Sequence, residues 1–166
     1  LGPNADFHEA ALAGAKLVVA QLNTSIIAPL GAPLIDPGQI DVIVPSELSN
    51  PLLPQATPDP AAEAIGQQVA NLIEDGDCLQ TGIGAIPAAI LQRLQGKNDL
   101  GIHGGLIDDG GLGLIRSGNV NGSQKGIDRG LHVTGMALGS AQLMEALAED
   151  ERIVLRGANH THEVSA

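Results

Sequence analysis

His103, Asp108 and Asp109 stand in a glycine-dense stretch, DLGIHGGLIDDGG (99–111), bounded by apolar runs. An imidazole beside carboxylates can move a proton or activate water. Residues without side chains, here Gly104, Gly105, Gly110 and Gly111, let the main chain approach a ligand closely. The same residues have a plainer reading. Asp109-Gly110-Gly111 would serve as a turn that caps the next helix, and His103 as a hydrogen-bonded strand histidine. Residue types alone leave both open.

Upstream, TGIGAIP (81–87) puts Gly82 and Gly84 where a strand turns into a helix, a place where free backbone N–H groups and the helix dipole favour an anion. No Gly-Lys-Ser/Thr follows, so this is not a P-loop, and Pro87 replaces the third glycine of the dinucleotide fingerprint. A nicotinamide-dependent dehydrogenase, which would use Gly82, Gly84 and Asp99, is the weaker reading for that reason. His160-x-His162 offers ligand-type side chains, but no third ligand is recognisable near it in sequence, so no metal is expected. Cys78 lacks a Cys-x-x-Cys partner and reads as a buried strand residue rather than a nucleophile.

Alternating helices and strands must position these groups. Ala-rich DFHEAALAGAK reads as a helix ending near Gly14, and KLVVAQLN as a short strand. Prolines recur from Pro29 to Pro60, which rules out a long helix there but leaves room for a strand at IDVIV (40–44). Asp59 as N-cap, Pro60 at the first helical position and Glu63 in the first turn predict a helix whose apolar stripe runs to Leu72 and Ile73 and stops near Gly76. CLQTGIG then reads as strand into loop, and IPAAILQRLQG as a helix opened by Pro87 and closed by Gly96. LGIHGG, GLHVTGMAL and RIVLRG read as strands separated by the helices GLGLIRSG and SAQLMEALAED. The expected fold class is α/β, a mainly parallel sheet with flanking helices.

The bulk properties exclude several functions. The chain has 166 residues, 43% of them hydrophobic, and a formal net charge of −11 with only eight Lys and Arg. Clustered cations for nucleic acid are missing, and Phe7 is the sole aromatic on which a base could stack. No run approaches the roughly 18 apolar residues of a membrane span, and LGPNADFHEA is not an export signal. A single cysteine fits a reducing compartment, so a cytoplasmic location is expected. The chain does not begin with Met and closes soon after a strand-like run, which reads as a piece of a longer polypeptide.

Three segments, AALAGAKLVVAQLN, VANLIEDGDCLQTGIGAIPAAILQRLQGKNDLGIHGGLIDDG and VTGMALGSAQLMEAL, together resemble the acetyl-CoA hydrolase/transferase family, which includes 4-hydroxybutyrate and acetate CoA-transferases. The resemblance implies two related α/β domains with the active site between them, in proteins more than twice this length. Residues 1–50 would then end the first domain, 51–59 form a Pro-rich linker, and 60–166 begin the second domain with its glycine loops. It also implies an enzyme that moves CoA between an acyl-CoA and a small carboxylic acid, or hydrolyses acyl-CoA. Coenzyme A thioester would be the substrate, with no metal, and either a homo-oligomer or the rest of the same chain would complete the site.

In that family a glutamate attacks the thioester and expels CoA thiolate to form a mixed anhydride, which the thiolate opens, so that the acyl group leaves as its carboxylate and the enzyme carries CoA as a glutamyl thioester. The glutamate commonly stands in a His-(Ser/Thr)-Glu-Met frame, where this chain reads His103-Gly104-Gly105-Leu106. Gly105 has no carboxylate. The resemblance therefore leaves Asp109 as a substitute carboxylate, or His103 with Asp108 or Asp109 as a water-activating pair. Gln80, Gly82, Gly84, Gly104 and Gly105 become the expected acyl-CoA contacts, with Lys125 or Arg129 as local positive charge. The other reading is a non-catalytic acyl-CoA-binding relative or subunit.

Overall fold

A computed structural model describes residues 1–49, 52–53 and 56–162. Helix α1 (His8–Gly14) leads into β1 (Val19–Asn23), which pairs in parallel with β2 (Val42–Ser46) in register Val19↔Val42 through Asn23↔Ser46. Pro45 lies inside β2 without breaking it, because this sheet has only two strands and a missing N–H on its free side removes nothing.

Helix α2 (Pro60–Ala70) starts as its sequence dictates. The Asp59 carboxylate accepts from Ala62 N–H at 2.8 Å, Pro60 opens the first turn, and Glu63 forms an ion pair with Arg93. It ends at Ala70, earlier than the apolar stripe suggested. Leu72 is 79% exposed, so the stripe gains nothing by continuing, and Asp77 turns the chain by accepting from Glu74 N–H at 2.8 Å. Gly76, at φ +88°, completes that turn.

Strand β3 (Cys78–Leu79), helix α3 (Ala85–Gln92), strand β4 (Gly101–Ile107), helix α4 (Asp109–Arg116), strand β5 (His132–Ala137), helix α5 (Ala141–Glu149) and strand β6 (Ile153–Leu155) follow. Their four strands form one all-parallel sheet in the order β3-β4-β5-β6. Parallel neighbours need crossovers, and each helix supplies one. The core lies between sheet and helices, with Leu94, Leu100, Ile107, Leu143, Leu147 and Ile153 almost fully buried.

The N-terminal half also contacts this sheet. Asn4 bridges Met136 beyond the end of β6, and Gly31 bridges Val154 outside β6. Of the segment expected to be a linker, residues 51, 54 and 55 lie outside the described residues, and 52–53 and 56–59 form neither helix nor strand. A last helix, α6 (Ala158–Thr161), packs against β4 and β5.

Two polar clusters at β4

In a parallel sheet the C-terminal strand ends share one edge, where ligands commonly bind. A cleft of 220 Å³ lies there. Ile83 and Gly84, ahead of α3, form one wall, Asp108, Asp109 and Gly110 the other, and Leu138 and Gly139 the back. Gly84 has φ +116°, which only glycine adopts without strain, and as the N-cap it offers no side chain to the N–H groups that open α3.

Both aspartates are held by helix ends. Asp108, rather than Asp109, is the N-cap of α4, its Oδ1 accepting from Gly111 N–H at 2.9 Å. Burial pushes the Asp108 carboxyl above the usual carboxylate range, and the adjacent Asp109 adds to this against the opposing backbone hydrogen bonds. Asp109 reaches across to the start of α5, accepting from Ser140 N–H at 2.9 Å and Ser140 Oγ–H at 2.6 Å. Gly139 leaves room for it, since a Cβ there would lie 2.8 Å from Asp109 Oδ2.

The remaining expected site residues lie elsewhere. Gly104 and Gly105 are not in a loop. They sit inside β4, which runs on to Ile107, so the bend begins only at Asp108. Gln80 packs across β4, and a Cβ on Gly104 would come 2.7 Å from Gln80 Cγ. Gly82 has open space around it, and neither it nor Gln80 lines the 220 Å³ cleft. Lys125 is buried and donates to the carbonyls of Ile102 at 3.1 Å and Leu131 at 2.8 Å, so its charge is spent inside the fold rather than offered to a phosphate. Arg129 Nε–H points back to the Lys125 carbonyl at 3.4 Å. Asp99 accepts from Asn121 and Ser123 before β4 begins, at the sheet edge opposite the cleft, where it could not hold the ribose of a dinucleotide lying there. Cys78 is exposed rather than buried, because β3 is a two-residue edge strand; partial burial still pushes its thiol up, against reactivity.

His103 does not pair with Asp108 or Asp109. At about 3.3 Å per strand residue those carboxylates lie roughly 16 Å further along the chain, and both are occupied by helix ends. Its side chain, 8% exposed, instead meets Asp128 and His160. His103 Nε2 lies 3.2 Å from the His160 carbonyl oxygen, which can only accept, so Nε2 carries the hydrogen. Nδ1 is left facing Asp128 Oδ2 at 3.9 Å, and His160 Nε2 lies 2.6 Å from the same oxygen. Burial raises the Asp128 carboxyl, but the His160 hydrogen bond and the neighbouring His160, Lys125 and His103 charges more than offset this and hold it below the usual range.

Neither Asp128 nor its role was visible in the sequence, since nothing about its neighbours marks it. His162 was visible only as half of a His-x-His pair. Its ring lies over Gly105, so a Cβ there would be 2.5 Å from His162 Cε1 and 2.7 Å from Nε2. Thr161 Oγ1, 2.8 Å from His162 Nδ1, orients the ring. An imidazole thus fills the space above the residue where the family resemblance puts a carboxylate.

The sequential, all-parallel sheet with a glycine-walled cleft at its C-terminal edge is an α/β arrangement, and the chain is similar to part of the length of CoA-transferases. It is 40% identical over 146 residues to 4-hydroxybutyrate coenzyme A transferase of Clostridium kluyveri, a match covering 87% of this chain and 34% of that protein. The crystal structure of 4-hydroxybutyrate CoA-transferase from Porphyromonas gingivalis superposes with TM-score 0.85 at 34% identity, covering 95% of this chain and 40% of that one. RipA from Yersinia pestis superposes with TM-score 0.86 at 29% identity, covering 96% and 37%. The chain therefore spans about a third of the length of the curated relatives it matches. No family model matches it.

Proposed function

We propose that this chain is part of a cytoplasmic CoA-transferase that moves CoA between an acyl-CoA and a small carboxylic acid of the acetate or 4-hydroxybutyrate class. The observation that carries the reading is the 40% identity to a 4-hydroxybutyrate coenzyme A transferase across 87% of the chain. The cleft that joins Gly84 to Asp108 supports it. The acyl thioester would enter that cleft, with backbone N–H groups at the start of α3 polarising its carbonyl oxygen. Gly82, Gln80, Gly104 and Gly105 would form the approach along β3 and β4. Asp108, its proton held more firmly than usual by burial, would exchange protons there. Asp109 would position α5, and His103 would act as a base on the neighbouring face. Residues 60–166 would belong to the second of two domains, and 1–50 to the first, with another copy or further chain completing the site.

Gly105 favours a second reading. Without a carboxylate at that position the chain would hydrolyse acyl-CoA through activated water, or bind it without turnover as a subunit. Incubating the protein with acetyl-CoA and acetate, trapping with hydroxylamine and mapping by mass spectrometry separates these readings. A hydroxamate on a carboxylate side chain, left where hydroxylamine has displaced CoA from an enzyme thioester, supports transfer, whereas CoA release without that modification supports hydrolysis. Saturable binding with neither supports the subunit, and no binding at all refutes the assignment.

A further inference from the structure

We propose that His103, Asp128 and His160 form a binding site for one divalent transition-metal ion of the zinc class. One donor atom from each lies within 4.8 Å of the others, although the three residues come from β4, the loop before β5, and α6. Three ligands at the roughly 2.0–2.2 Å bond lengths of zinc stand about 3.3 Å apart around the ion. The observed separations of 2.6 Å and 3.9 Å to Asp128 Oδ2 bracket that spacing, so small side-chain rotations suffice.

The orientation of His103 is the stronger argument. A metal-binding histidine almost always donates its other ring N–H to a carbonyl or carboxylate, which fixes the tautomer and aims the free nitrogen at the ion. His103 already has this orientation, with Nε2 donating to the His160 carbonyl and Nδ1 turned into the cluster, 3.9 Å from Asp128 Oδ2. Asp128 is brought in by a strained turn at φ +49°, unusual for a residue with a side chain. Burial is graded across the three side chains, at 8%, 25% and 40% exposed for His103, Asp128 and His160, which leaves one side open for an ion to enter with a water as fourth ligand.

Two imidazoles and one carboxylate select a zinc-like ion over magnesium or calcium, which demand oxygen donors. The opposing charge nearby is the Lys125 ammonium, which is held by the carbonyls of Ile102 and Leu131. The ion would replace the hydrogen now shared between His160 Nε2 and Asp128 Oδ2, that proton passing to His160 Nδ1 or to water. Its effect would be to clamp α6 to β4 and hold the adjoining His162 over Gly105. Sequence spacing hid the site, because the partners of His160 lie far from the His-x-His pair. The proposal does not rest on the CoA reading, but a bound ion would occupy the His103 Nδ1 that the reading gives to a base.

The test is to strip the protein with a chelator and titrate it with zinc by calorimetry and with cobalt(II) by visible absorption. The expected result is one ion per chain, a cobalt spectrum of tetrahedral or five-coordinate nitrogen and oxygen ligation, and no competition from excess magnesium. His160→Ala and Asp128→Asn should each weaken binding by more than the roughly 10–100-fold that follows loss of an outer-shell partner, and His162→Ala should leave it unchanged. Binding that is absent, or that persists equally in His160→Ala as scattered acidic sites would give, overturns the proposal. If a variant fails to fold, the unaltered protein decides: a purely octahedral aquo-like cobalt spectrum rejects the site.

Discussion

His132 is buried completely in β5, and among the described residues neither ring nitrogen has a hydrogen-bond partner. Burial first, then the nearby Arg152 charge, lowers its pKa from 6.5 to about 4. The unfolded chain accepts a proton near pH 6.5 that the folded chain refuses until about pH 4. Stability is therefore fully present above pH 6.5 and lost as the pH falls through that window, by about 3 kcal/mol at most. His132→Leu, which removes two unpaired nitrogens, should be at least as stable as the parent at neutral pH and show a flatter stability profile between pH 4 and 6.5 in urea unfolding. A parallel profile in the two proteins would place the titration elsewhere. At Gly105 the expectation is different in kind. Gly105→Ala must displace the His162 ring, but that ring is exposed and tied only to the neighbouring Thr161 hydroxyl among the described residues, so the change should cost under about 1 kcal/mol. Combined with His162→Ala the two effects should be non-additive in thermal unfolding.

Among the elements, those announced by terminal chemistry were legible in advance. Asp59 and Pro60 mark the start of α2, and the alternation of aliphatic runs with helical segments points to a parallel sheet, although not to its strand order. What could not be read were the places where tertiary contacts decide. The end of α2 depends on Asp77 folding back to Glu74, and β4 continues through two glycines because Gln80 and His162 need the space above them. Glycines and carboxylates at strand ends point to Gly84, Asp108 and Asp109, which line the cleft, whereas Asp128 meets His160 only through the fold. The two aspartates yield a test at this scale. Asp108→Ala removes one N-cap bond, for about 1 kcal/mol. Asp109→Ala removes two charge-assisted bonds that tie α4 to α5, so it should cost more, about 2–3 kcal/mol, in chemical denaturation. Equal losses would mean that Ser140 finds other partners.

Across the whole molecule burial is uneven. The β3–β6 sheet carries the core, while the β1–β2 pair leaves Val19, Leu22, Val42, Ile43 and Val44 exposed, with Ile43 at 56%. Parallel strands are ordinarily covered on both faces, and a two-stranded sheet is marginal in water by itself. Apolar side chains crowded on such a sheet favour association. The 166-residue chain alone should therefore bind a hydrophobic dye and form concentration-dependent assemblies in sedimentation. Ile43→Lys should reduce both, because it places a charge in the middle of the apolar strand. The four-stranded sheet should be indifferent to that change, since its core does not include β2. Hydrogen exchange can follow the two sheets separately: the amides of Val133 and Thr134 should keep their protection in Ile43→Lys while those of β1 and β2 exchange fast in both proteins. A monomeric parent that binds no dye would show that the β1–β2 face is too small or too divided to associate.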